Sequence, residues 1–136
     1  MTSTISIRQA TTSDIDIIAQ FNQAMALETE NKTLQAETIQ NGVTRMIQQP
    51  TMGFYLVAEI QTDEDTTEVC GCLGITYEWS DWRNGLFWWI QSVFIDQQHR
   101  RKGVFGKLYQ RVTKLAKDCL LNTSDSAEEQ HRGDRG

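Results

Sequence analysis

The sequence is poor in cysteine and has no long hydrophobic run, and both shortages limit what the protein can be. Three cysteines occur in 136 residues: Cys70, Cys72 and Cys119. An odd number of cysteines without a secretion signal predicts reduced thiols in a cytoplasmic protein. The Cys70-Gly71-Cys72 segment has no second cysteine or histidine pair beside it, so no metal site is predicted. No apolar run approaches the roughly 18 residues of a membrane span, so no membrane partner is predicted.

Positive charge is also scarce. The chain has 13 lysines and arginines against 18 aspartates and glutamates, a net charge of −5. An acidic surface disfavours non-specific binding to nucleic acids and acidic lipids, so neither is a predicted partner. The acidic balance leaves room for a local basic patch, and His99–Lys102 is one. Alone, such a patch is more often a solvated turn; a small nucleic-acid-binding protein that used it would show a steep salt dependence.

The apolar pattern that is present fits one α/β (α+β) domain. Apolar residues recur at helical spacing over Ile17–Met25, over Ile39–Ile47 and from Val104 onwards. The order strand, helix, helix, three strands, helix predicts a mostly antiparallel sheet with flanking helices. We assign this domain to residues 1–121 and a polar, disordered tail to residues 122–136. The expected strands are Ile5–Ile7, Phe54–Ile60, Val69–Tyr77 and Leu86–Ile95.

The segment from Ser92 to Tyr109 carries the strongest functional signal. An apolar strand ends at Ile95, cations follow at Arg100–Lys102, and Gly103 precedes a helical pattern. The first N–H groups of a helix lack partners within it, and glycine lets backbone approach a bulky anion, so this junction predicts a phosphorylated ligand. Neither the nucleotide P-loop nor the dinucleotide fingerprint fits, because Leu108 replaces the required Ser or Thr and only two glycines are in place.

These residues resemble a known family. Arg100-x-x-Gly103-x-Phe105-Gly106 after an apolar strand resembles the coenzyme A pyrophosphate loop of the GNAT N-acetyltransferase superfamily, in the subgroup that reads Gly-Val-Phe here. The segments Ala24–Glu30 and Glu78–Val93 are similar to the same subgroup. The resemblance covers residues 5–118 approximately. It implies an acyl-CoA N-acyltransferase fold and transfer of an acetyl group from acetyl-CoA to a primary amine by direct attack in a ternary complex.

The resemblance also implies roles for backbone groups. Val93, Phe94 and Ile95 would pair with the pantetheine arm of acetyl-CoA, and an N–H there would face the thioester oxygen. The N–H groups from Arg101 to Gly106 would hold the diphosphate, and Arg100 or Arg101 would meet the phosphates on the adenosine side. The predicted cofactor-binding residues are Val93, Phe94, Ile95, Arg100, Arg101, Lys102, Gly103, Val104, Phe105 and Gly106.

The residue that takes the proton from the amine is less clear. Many polyamine-acetylating relatives have a glutamate on this strand where the chain has Gln91. A glutamine cannot act as a base, although it can orient a water molecule. Glu78 and Asp81 are the nearest carboxylates in the sequence, although a carboxylate of this kind is more often only a surface residue.

Acceptor recognition is predicted from two segments. Glu28 and Glu30, placed in a loop between the first two helices, could attract a cationic small-molecule or peptide amine. Trp88 and Trp89 must face opposite sides of their strand, so one is core and the other, with Trp79, could wall the acceptor pocket. The acceptor itself stays open among polyamines, amino acids, aminoglycosides and protein N-termini.

A GNAT chain normally continues with a fifth strand, a fourth helix and a closing strand, and no such pattern follows Leu121. The sequence therefore predicts a domain that is truncated at its C-terminus, lacking the C-terminal strand-helix-strand. The fourth strand would keep an open apolar edge, which a homodimer could cover. The alternative to an enzyme is a non-catalytic remnant that binds coenzyme A or a partner chain.

Overall fold

A computed structural model describes residues 4–122 and 128–131. Four antiparallel strands form a sheet in the order β1-β2-β3-β4, and a fifth short strand, β5, runs parallel to β4. This arrangement confirms the predicted fold class. The elements are β1 (Ile5–Gln9), α1 (Ile15–Glu30), α2 (Ala36–Gln48), β2 (Gly53–Gln61), β3 (Thr67–Ser80), β4 (Gly85–Ile95), α3 (Val104–Asn122) and β5 (Glu128–His131).

The sheet has a core on each face. Helix α3 covers one face with the buried stripe Val104, Leu108 and Val112. Helices α1 and α2 cover the other, where Ile18, Phe21 and Val43 are buried. The buried residues of α3 recur every four residues, and Ile18 and Phe21 of α1 are three apart, as expected for helices that bury one side. None of the helices in the described ranges is long and apolar enough to cross a bilayer.

Cys70 and Cys72 lie in different cores, Cys70 beneath α3 and Cys72 beneath α1 and α2. A bulge in β3 makes this possible, because the pairing register shifts between Val69 and Gly71. Burial raises the pKa of the Cys70 thiol to about 11 and that of Cys72 to about 12. Protonated thiols on opposite faces cannot bind one metal ion together, which fits their interpretation as core residues.

Helix α1 is longer than the sequence indicated. The polar segment that contains Glu28 and Glu30 was expected to be a loop, but both residues lie in the last turn of α1. The helix ends at Asn31, which has a left-handed backbone (φ 52°) and donates its N–H to the Leu27 carbonyl at 3.1 Å. Asparagine tolerates this conformation better than most residues, so it can end a helix where no glycine is present.

Strand β4 contains a bulge at Gln91. Ile90 pairs with Ile75 and Ser92 pairs with Gly74, so Gln91 is the extra residue. Among the described residues, β5 pairs with Phe87–Ile90 of β4. Within the described ranges, no strand lies against the far side of β4 beyond Ile90, so the second half of β4 keeps an open edge.

The expectation of a tail without a strand is wrong for Glu128–His131, which form β5. Their sequence, Glu-Glu-Gln-His, has no apolar alternation, so nothing in it signals a strand. The strand β5 is extended because its backbone pairs with β4, not because its side chains follow an apolar pattern. The remaining residues of the predicted tail, 123–127 and 132–136, lie outside the described ranges, and the domain boundary at 121 stays a prediction.

Candidate cofactor and acceptor site

The loop between β4 and α3 turns sharply through two left-handed residues. A short 3-10 turn, Gln97–His99, follows β4. Arg101 then has φ 66° and Gly103 has φ 84°, after which the Lys107 N–H donates to the Gly103 carbonyl at 3.2 Å as α3 begins. The backbone thus reverses immediately before the positive end of a helix.

A cavity of about 300 Å³ opens in front of this turn. A Cβ atom built on Gly103 or on Gly106 would meet nothing within 4 Å, so open space lies directly before both backbones. A phosphate group can approach such amides closely, and the start of α3 favours negative charge. The residues present therefore fit the diphosphate of a coenzyme A molecule. The lining consists of Ile95, His99, Arg100, Arg101, Gly103, Val104, Phe105 and Gly106.

Arg100 lines this cavity, but its guanidinium group is engaged by the protein. Its Nε donates to the Ile95 carbonyl at 2.8 Å, and one Nη atom lies 3.1 and 3.0 Å from the two carboxylate oxygens of Glu28. The guanidinium carbon lies 5.2 Å from the centre of the Phe94 ring, a cation–π contact. Of the two arginines predicted to meet phosphates, Arg101 is the exposed one.

His99 and Lys102 form a second anchor for the loop. The buried His99 ring has its Nε2 3.0 Å from a Glu68 carboxylate oxygen and its Nδ1 3.3 Å from the Lys102 ammonium nitrogen. Because an ammonium group only donates, Nδ1 accepts and Nε2–H donates to Glu68. Asp96 lies near enough for these groups to resemble a metal site. The hydrogen bonds already account for both ring nitrogens, and the Lys102 cation opposes a metal ion.

Three of the predicted catalytic and acceptor residues lie together on the face covered by α1 and α2. The Trp89 indole N–H donates to a Glu78 carboxylate oxygen at 2.6 Å. The Gln91 amide donates to the Thr76 hydroxyl at 2.8 Å. Glu78 and Trp89 are held side by side, with Gln91 next on the same face of β4.

The other predicted acceptor and catalytic residues are not brought to this group. Trp79 pairs with Leu86 on the α3 side of the sheet, so it cannot line one pocket with Trp89. Asp81 lies in the exposed turn between β3 and β4. Glu30 lies 3.7 Å from the Lys32 ammonium, and both side chains are largely exposed. Trp88 is the core member of its pair, at 4 % exposure, as the alternation of the strand requires.

Sequence reasoning missed three features of the site region. Thr76 and Glu68 come from β3 and carry no motif, so only the strand register reveals their contacts with Gln91 and His99. The Trp88 indole N–H is buried and has no hydrogen-bond partner among the described residues. A second cavity, of about 320 Å³, lies beside Trp88 between the sheet and the end of α3, lined partly by Phe54 and Leu115.

A strand that ends in a glycine-bearing loop at a helix N-terminus suits a phosphorylated ligand, and comparison with known proteins gives the class and the family. The model of the acetyltransferase (GNAT) family matches residues 18–131. The chain therefore belongs to the GNAT acetyltransferase family, which confirms the resemblance seen in the sequence. Its activity is accordingly acyl transfer in the general sense.

Solved structures agree with this assignment. A possible acetyltransferase from Clostridium difficile 630 is 36 % identical, over 96 % of this chain and 80 % of that chain, with a TM-score of 0.82. An integron cassette protein from the mobile metagenome of Cole Harbour Salt Marsh is 16 % identical, over 94 % and 76 % of the two chains, with a TM-score of 0.77. An aminoglycoside acetyltransferase from an uncultured soil metagenomic sample is 15 % identical, over 96 % and 78 %, with a TM-score of 0.69. The last two share the fold alone. No curated protein matches the chain.

Proposed function

We propose that the protein transfers an acetyl group from acetyl-CoA to a primary amine by direct attack in a ternary complex. One observation carries the proposal: the open edge of β4 leads directly into the cavity at the N-terminus of α3. Backbone groups of Val93–Ile95 would bind the pantetheine arm along that edge. Amides from Arg101 to Gly106 would bind the diphosphate, with Arg101 and Lys102 adding positive charge.

Acetyl-CoA supplies an acyl group on a good leaving group, so that a C–N bond forms as the C–S bond breaks. The protein's task is to place the amine, to donate a hydrogen bond to the thioester oxygen and to remove one proton. A backbone N–H beyond the bulge of β4 is the proposed donor to that oxygen. Glu78, held by Trp89, is the carboxylate on the correct face to take the proton, and Gln91 would orient a water molecule beside it.

The acceptor that suits this face is a cationic amine. Glu78 offers negative charge next to the Trp89 ring, and an ammonium group is attracted by both a carboxylate and an aromatic face. Aminoglycosides and polyamines meet this requirement, and one structural relative is an aminoglycoside acetyltransferase. Cys70 and Cys72 are buried and form no disulfide with each other, which agrees with a reducing, cytoplasmic setting.

Two measurements test the proposal. Titration with acetyl-CoA should quench or shift the fluorescence of the four tryptophans with saturation, because Trp88 and Trp89 lie on the strand that would bind it. Release of free thiol should then depend on an added amine, chosen from a panel of polyamines, aminoglycosides, amino acids and peptides. If the protein does not bind acetyl-CoA under any of the conditions, the enzyme hypothesis is wrong.

The second candidate is a protein that binds coenzyme A without turnover. Gln91 favours it, because a glutamine occupies the strand position where a base was expected. Saturable binding with no thiol release for any amine would support this candidate. The mass of the protein in solution answers a related question, because a homodimer could cover the edge of β4 that β5 leaves open.

A further inference from the structure

The Arg100–Glu28 pair links the cofactor loop to the last turn of α1. The two residues lie 72 positions apart in the sequence and meet at 3.0 Å. Arg100 also reaches the Ile95 carbonyl, the final residue of β4. One side chain therefore connects three elements: the loop, the end of the strand and the end of the helix.

An apolar contact lies directly beneath this ion pair. The Phe94 ring contacts the Arg100 guanidinium on one side, and the Phe21 ring of α1 lies 5.2 Å away from it, centre to centre. Arg100 is half-buried against this stack, so its position is set by packing as well as by charge. Arg100, at the start of the loop before α3, is therefore tied to the end of α1 and to the end of β4.

We propose that Arg100 is a positioning residue for the cofactor loop, with Glu28 as its partner, and that neither binds a substrate directly. This inference rests on the proposed function, since the loop it positions is the proposed diphosphate site. The Nε and one Nη of Arg100 already donate to protein acceptors, which leaves fewer of its five N–H donors for a phosphate ligand. Charge on the diphosphate is then met by the loop amides, Arg101 and Lys102.

The direction in which Glu28→Gln changes the affinity for acetyl-CoA distinguishes this role from its rival, in which Arg100 binds a phosphate of acetyl-CoA directly. Removing a negative charge makes the protein less repulsive to an anionic ligand, and freeing a phosphate-binding arginine would help further, so the rival predicts tighter acetyl-CoA binding. A positioning pair predicts weaker binding, by about two- to five-fold, since exposed ion pairs of this kind have modest energies. The control Glu64→Gln makes the same charge change in the exposed β2–β3 turn and should shift affinity less than that.

A double-mutant cycle measures whether the two residues act together. Arg100→Gln should weaken acetyl-CoA binding, and adding Glu28→Gln should weaken it no further. Arg100→Lys should keep part of the coupling to Glu28, because it retains the charge but loses the Nε–H and the planar group. Tighter binding by Glu28→Gln, or effects of the single variants that multiply in the double variant, would overturn the proposal.

Hydrogen exchange of the ligand-free protein separates this inference from the proposed function. Glu28→Gln should lower amide protection in the loop 96–103, and Arg100→Gln should lower it in the last turn of α1, while Glu64→Gln lowers neither. If the wild-type chain fails to bind acetyl-CoA, the proposed function is wrong. The exchange result still decides whether Arg100 and Glu28 link the loop to the end of α1. If each substitution lowers amide protection only in its own segment, the link between the two segments is refuted.

Discussion

Gly103 and Gly106 give the sharpest test of the site, because alanine should affect stability in opposite directions at the two positions. Gly103 has φ 84°, a conformation that costs a residue with a Cβ about 1–2 kcal/mol. No atom lies within 4 Å of the added Cβ, so backbone strain is the whole cost within the protein. Gly106 is helical and equally open, and alanine there should stabilise the fold by about 0.5–1 kcal/mol.

Binding should weaken in both variants in spite of their opposite stabilities. A Cβ on a helix points toward the N-terminus, so the methyl group of Gly106→Ala would point toward the cavity before α3. Displacing a phosphate from amides it should contact removes charge-assisted hydrogen bonds of about 1.5–3 kcal/mol, a loss of about 10- to 150-fold in affinity. Denaturant unfolding gives the stabilities, and tryptophan fluorescence gives the acetyl-CoA affinities. Affinity that rises with stability in Gly106→Ala, or wild-type affinity in both variants, would refute a diphosphate site at this loop.

Three further changes test the chemistry and the core. Glu78→Gln should lower kcat at least ten-fold if this carboxylate is the base, while the Gln carbonyl still accepts from Trp89; an unchanged pH–rate profile would exclude Glu78. Asp14→Asn should cost about 1–3 kcal/mol at pH 7, because this buried carboxylate accepts two hydrogen bonds from Arg8. Arg8 lowers the pKa of Asp14, so the stabilisation exists above the ordinary pKa near 4 and is lost as the pH falls through the lowered pKa of the folded protein. The difference in free energy of unfolding between wild type and variant, measured in urea, should therefore shrink at low pH. A difference that stays constant from pH 7 to pH 2 would contradict this. Leu108→Ala should cost about 2–5 kcal/mol in the same assay, since this residue of α3 is fully buried against the sheet, and a cost near zero would contradict the assigned core.

The sequence was informative where a pattern is local. Apolar periodicity located every helix and the first four strands, because burial of one face leaves a repeat of 2 or 3.6 residues. The loop at Gly103 was recognisable for the same reason, since a left-handed turn before a helix needs glycine at a fixed place. The prediction that one of Trp88 and Trp89 is core also followed from local geometry and is confirmed.

Features that depend on distant partners were not visible in this way. Arg100 was expected to face phosphates, whereas the structure pairs it with Glu28, and no local rule connects residues 72 positions apart. Trp79 and Trp89 were assigned to one pocket, but the hairpin register places them on opposite faces. Strand β5 consists of polar residues that gain their conformation from the edge of β4 rather than from an apolar pattern. Long-range charge pairing, register and edge pairing each require the folded sheet.

The bulge at Gln91 connects these observations. A bulge bends and twists its strand locally, and β3 still pairs with β4 on both sides of Gln91. Within the described ranges, β5 pairs with β4 as far as Ile90, and the five residues 91–95 of β4 keep one row of backbone groups without a strand partner. Unpaired backbone groups require hydrogen-bond partners, and an extended amide-containing arm supplies them in the same way as an added strand. The position that lacks a catalytic carboxylate is also the one where the backbone of β4 bulges, next to the proposed binding edge. Gln91→Glu should leave that edge intact while adding a base beside it.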